Sequence, residues 1–249
     1  MALGVWLKDP KNSVEATEEF SLRDDLKELV KNRTLMLSLA VLFLRYCGGF
    51  GRGFFDALYF ATQFPESTRA YSICNAVALL LVPISLFLAG HFTDKHEAEG
   101  QLRVRPLLCC VTSLIPVPLI CVMYTVNTFE LAMASLITMT VVGETYISVS
   151  IATVINVTTP RVRALRKNYI ESGLILGVGC LGGVLSTLLL GAINTSHENL
   201  RIGLLCVVAT CYFLGGGGFY LISLVYPRDY ETAVNEEAFY TQAPIEKMD

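Results

Sequence analysis

The chain has 249 residues, of which 53% are hydrophobic and only 16% charged, with a formal net charge of −3 and a mean hydropathy of +0.52. A soluble domain carries about 25% charged residues, so this composition excludes an ordinary water-soluble fold and points to a polytopic membrane protein. Neither the net charge nor any basic run suggests a nucleic-acid partner.

In chain order, residues 1–33 read as a cytoplasmic linker. It contains an amphipathic helix in which Leu22, Leu26, Leu29 and Val30 recur at helical spacing. Six long apolar stretches follow, at about 35–64, 68–92, 106–126, 129–158, 168–193 and 201–226. Each approaches or exceeds the ~20 residues that cross ~30 Å of hydrocarbon. Residues 34–226 are therefore expected to form an all-α, six-helix transmembrane bundle. Residues 227–249 read as an acidic, solvated cytoplasmic tail, carrying Asp229, Glu231, Glu236, Glu237, Glu246 and Asp249.

Basic residues are distributed unevenly. The linker, the second-to-third loop, the fourth-to-fifth loop and the tail together hold fifteen Lys and Arg, against Arg69 and Arg201 on the other side. The positive-inside rule then places both termini in the cytoplasm. Neither plasma nor endolysosomal membrane is favoured.

The eight cysteines all fall within predicted spans, with no C-x-x-C pair, and are read as small packing residues. Gly177, Gly179 and Gly182 match G-x-G-x-x-G, but mid-span and with no preceding strand. No cofactor or metal is called for. His91, His96 and His197 are expected in loops. An intramembrane enzyme would need a nucleophile elbow, paired aspartates or a metal set. None is visible, and the chain is read as a non-enzyme.

Four ionisable residues stand inside spans: Arg45, Arg52, Asp56 and Glu144. A charge at the bilayer centre costs about 2.5–3.5 kcal/mol on insertion scales, so such groups face a bundle interior, a cavity or a partner. Spacings of seven and four residues place Arg45, Arg52 and Asp56 on one helical face. Arg45 lies about 16 Å past Thr34 and so near the midplane, at the depth expected for Glu144. The reading is an Arg45–Glu144 pair between helices, an Arg52–Asp56 pair within one helix, and a carboxylate whose protonation biases one conformation. These four residues are the candidate substrate and proton pathway. A fixed pair that only holds the bundle is the bland alternative.

Gly90-His-Phe-Thr-Asp-Lys95 closes the second span. It resembles the G-x-x-x-D-[RK] core of the signature loop of the major facilitator superfamily. The resemblance implies that the six spans are one half of a twelve-helix fold. It implies that Gly90, Asp94 and Lys95 form a cytoplasmic latch, with Asp94 meeting the start of the fifth span or Arg161 and Arg163. The usual basic run is replaced by His96 and Glu97.

Leu7-Lys-Asp-Pro-Lys, then Asp25-Leu-Lys-Glu-Leu-Val-Lys-Asn, resembles the central linker of the spinster-like branch, and Pro160-Arg-Val-Arg-Ala is similar to its segment before helix eleven. This resemblance covers nearly the whole chain, as the C-terminal half of such a protein. It implies proton-coupled movement of a lipid-like or organic anionic substrate, with membrane lipids around it and an N-terminal six-helix half or a second copy as partner. The competing expectation is a non-transporting membrane protein that associates with a full-length relative.

Overall fold

The computed structural model describes residues 32–157, 169–194 and 196–242. These residues form an all-α bundle with six helical bodies long and apolar enough to cross a membrane. The protein is an integral, multi-pass membrane protein.

The first span is α1, Arg33–Gln63. Asn32 starts it as an N-cap, its side-chain oxygen accepting the Leu35 N–H at 2.9 Å; this satisfies one of the orphan donors of the first turn. The Asn32 amide also donates to the Val157 carbonyl at 2.8 Å. The Thr34 N–H donates to the Asp229 carboxylate at 3.0 Å, which places a negative charge at a helix N-terminus, where the dipole favours it.

A 3₁₀ turn, Pro65–Ser67, leads into α2, Thr68–Ala98. This helix ends in a Schellman motif. The Gly100 N–H bonds to the Glu97 carbonyl and the Gln101 N–H to His96, and Gly100 takes a φ of +83° that an L-side chain would resist.

The third span is interrupted: α3, Val104–Leu114, is followed by α4, Pro116–Thr125. The fourth is α5, Phe129–Gly143, then α6, Tyr146–Val157. The fifth is α7, Tyr169–Ile193, and the sixth α8, His197–Gln242.

α1 is the central element. It packs most extensively against α8 and α7, while α8 also covers α3, and α5 receives α4 and α2. Close approach of α1 and α7 depends on Gly182. A Cβ there would stand 2.7 Å from the Phe43 carbonyl oxygen, so only glycine fits this crossing.

Three expectations need correction. The fourth span is not one continuous helix over 129–158, because it breaks at Glu144–Thr145. The acidic segment from 227 does not leave the helix at once: α8 runs through Pro227 to Gln242, and Asp229 is held by the start of α1. His91 and His96 lie on α2 rather than in loops, as do Gly90, Asp94 and Lys95. The amphipathic helix, Arg161 and Arg163 lie outside the described residues.

Burial is uneven among the spans. Half of the apolar window is buried in the first and fourth spans, but only 6% in the second. Leu80 and Phe87 of α2 are 74% and 73% exposed.

Candidate functional site

The interior contains two apolar clusters. One gathers Leu35, Val41, Leu42, Tyr146, Phe219 and Tyr226. The other gathers Tyr59, Phe60, Tyr124, Met139, Leu204 and Tyr212. Along α1, Leu35, Val41 and Leu42 belong to the first and Tyr59 and Phe60 to the second. Arg45, Arg52 and Asp56 fall between, and all three are buried. The charged residues therefore form a layer between two apolar cores.

Arg52 is the hub. Its Nη1 donates to Thr140 Oγ1 on α5 at 2.7 Å, and its Nη2 faces Glu144 Oε1 at 3.5 Å. Its Nε lies 3.8 Å from Asp56 Oδ2, one helical turn on. The tight bond is to a neutral hydroxyl, while both carboxylates stand at looser range. Asp56 also accepts a short hydrogen bond from the Tyr124 hydroxyl of α4. The Glu144 side chain retains 18% exposure. Two guanidiniums and two carboxylates make the layer electrically balanced when all four are ionised.

The Arg52–Asp56 pair forms as the spacing predicts, but the interhelical pair is different. Glu144 faces Arg52, not Arg45. Arg45 is only 1% exposed. Its guanidinium lies 4.2 Å from the Tyr146 ring centroid and 3.6 Å from that of Tyr212, and its Nη2 donates to the Gly143 carbonyl at 2.7 Å. Depth alone favoured Arg45. Two ring faces and a freed carbonyl compete for its guanidinium and win.

Gly215 makes room for this arrangement. A Cβ there would come within 2.7 Å of Arg45 Cδ and 2.9 Å of Cγ. Gly215→Ala is thus expected to displace a packed side chain and destabilise the bundle by about 1–3 kcal/mol. Gly217, where a Cβ would meet nothing within 4 Å, supplies the control: Gly217→Ala should leave the melting temperature near wild type.

A second polar cluster joins the ends of four spans. Arg105 of α3 is 5% exposed in its side chain, bonds Asp94 at 2.8 Å and makes a short contact with Glu97. Glu97 also accepts from Asn156 of α6 and from the Tyr226 hydroxyl of α8, each at 3.0 Å. Asp94 thus meets Arg105, while the expected partners Arg161 and Arg163 lie outside the described residues. Gly90 lies one helical turn before Asp94, with open space around its Cα. Sequence reasoning missed Glu97, Asn156 and Tyr226. Glu97 was visible as a departure from the usual basic run, but nothing in its spacing links it to Asn156 or Tyr226.

On the opposite face of α1 from Arg52 and Asp56, Phe50 and Phe54 of α1 and Cys180, Gly183 and Leu188 of α7 line an apolar recess of about 370 Å³. Tyr46 connects the two regions, stacking on Phe50 at 5.8 Å and meeting the Tyr146 ring edge-on at 6.3 Å.

Neither a family model nor a curated relative matches the sequence. Among solved structures, the chain is similar to a bacterial homologue of the human lysosomal transporter Spinster, in an inward-facing and unoccupied conformation. The TM-score is 0.58 at 13% sequence identity, covering 87% of this chain and 51% of that one. At that identity the likeness shows the fold, which is of the major facilitator type. The chain spans about half the length of the structure it matches.

Proposed function

We propose that this chain is a six-helix body of a secondary carrier that moves a lipid-like or organic anionic substrate, coupled to protons. One observation carries the reading: a buried layer in which Arg52 is shared between Glu144 and Asp56, set beside a broken membrane helix. Charges inside a span are expensive and concentrate on substrate and ion pathways. Interrupted helices at membrane depth are tolerated where they are buried in protein or line a cavity.

In this reading Glu144, the more accessible carboxylate, takes the proton. Its neutralisation removes one of the two charges holding Arg52. The guanidinium then depends on Asp56 and Thr140, and the two arrangements favour different conformations.

A partner body is part of the proposal. Away from the stripe of Tyr71, Ala78, Ala89 and Thr93 that meets the bundle, α2 exposes apolar surface, which supports packing against an N-terminal six-helix half or a second copy as well as lipid. The same surface supports the alternative, a non-transporting partner of a longer relative, and transport distinguishes the two.

Membrane vesicles from cells expressing the chain provide the test. A fluorescent lysophosphatidic acid serves as the probe. Uptake above that of control vesicles, accelerated by an imposed pH gradient, is the expected result. Uptake equal to controls with and without a gradient would remove the reading in which copies of this chain alone form the carrier, and leave the non-transporting one or a carrier completed by an N-terminal half.

A further inference from the structure

The break in the fourth span combines a local contribution, the Thr145 hydroxyl on the Val142 carbonyl, with one from another helix. Residues 129–157 contain no proline, and Gly143 alone does not stop a helix. Breaks of this kind arise where a side chain inserts into the backbone ladder. Here the exposed carbonyls can be followed one by one. The Glu144 N–H still bonds back four residues to Thr140, but Thr145 N–H bonds to Val142 and Ile147 N–H to Glu144, each at three-residue spacing. The Val142 carbonyl also accepts from Thr145 Oγ1 at 2.7 Å. The Gly143 carbonyl accepts from Arg45 at 2.7 Å. In regular α-register that carbonyl would take the Ile147 N–H instead.

Independent features converge on the same place. The Arg45 guanidinium is held between Tyr146, just past the break, and Tyr212 of α8. Gly215 accommodates its stem. A Cβ on Gly143 would lie 3.1 Å from Pro116 Cγ, so the interruption of the third span abuts that of the fourth.

We propose that Arg45 is a positioning residue that pins the fourth span open at Gly143–Thr145, making this layer a hinge, and that the pin aims Glu144 at Arg52. Arg45 thereby acts through the backbone of another helix rather than by contact with cargo. The loss of Arg45 leaves a buried carbonyl without a donor. In a membrane interior it must find one, and the Ile147 N–H is the donor that α-register supplies. The span then heals into a continuous helix and Glu144 turns away from Arg52.

The test is amide hydrogen exchange of the full chain in lipid nanodiscs, which involves no cargo and is thus independent of the transport reading. Arg45→Met is expected to slow exchange at residues 145–147 by roughly tenfold, with the other spans unchanged. Arg45→Lys, which keeps a charged donor, is expected to return these amides to wild type. Should Arg45→Met not fold, Tyr212→Leu removes one face of the ring sandwich and is expected to slow the same amides about threefold. Unchanged or faster exchange at 145–147, a change spread evenly over all spans, or failure of Lys to restore wild type would each overturn the proposal.

Discussion

Arg52→Met is expected to lower the stability of the bundle by about 3–5 kcal/mol, the cost of breaking a buried ion pair on one side only. Arg52 faces both Glu144, at 3.5 Å, and Asp56, at 3.8 Å. Its removal leaves Asp56 and Glu144 in the interior without that cation. Arg45 does not replace it, because its guanidinium is held between two rings and bonded to Gly143. The cost should thus reside in the orphaned carboxylates rather than in lost packing, since Met fills much of the same volume. Neutralising them tests this directly. Arg52→Met combined with Glu144→Gln and Asp56→Asn is expected to recover most of the loss, measured as thermal unfolding in nanodiscs. A loss below about 1 kcal/mol for the single variant, the range of a solvated surface pair, would mean that Arg52 is not buried as the structure has it.

Glu144→Gln is expected to have the largest effect on activity. The amide oxygen can still accept from Arg52, so the fold should hold, with a melting temperature close to wild type. The side chain can no longer gain or lose a proton. Uptake of the lysophosphatidic acid probe should then be the same with and without a pH gradient, and gradient-driven uptake should fall by at least about tenfold, as for loss of a positioned proton carrier. Retention of gradient-driven uptake would move the coupling group elsewhere, with Asp56 the next carboxylate to substitute.

The six spans were legible because lipid imposes a coarse rule. About 20 apolar residues per crossing leave a long and unbroken signal. The buried charges were legible for the same reason, since Arg45, Arg52, Asp56 and Glu144 stand out against hydrocarbon. Their pairing was not. Depth along two helices gives the height of a side chain but not its rotation, and the competition for Arg45 comes from Tyr146, Tyr212 and a carbonyl on three different segments. The break at Gly143–Thr145 was hidden because the donor to its freed carbonyl sits about one hundred residues away in Arg45.

The helical form of the acidic segment was hidden for a related reason. Pro227 and a run of acids read as an exit from the membrane, whereas the helix continues to Gln242 and Asp229 meets the open N-terminus of α1. The Asp94 cluster shows the same division. The motif pointed to a polar junction, and only the fold shows that Arg105, Glu97, Asn156 and Tyr226 complete it.

The central claim is that the charged layer couples proton movement to cargo movement. The most direct measurement is the internal pH of vesicles carrying the chain, followed with an entrapped dye as the lysophosphatidic acid probe is added without an imposed gradient. The account predicts a probe-dependent pH change in wild type that is absent in Glu144→Gln and in vesicles lacking the chain. Probe uptake with no accompanying pH change in wild type would contradict it.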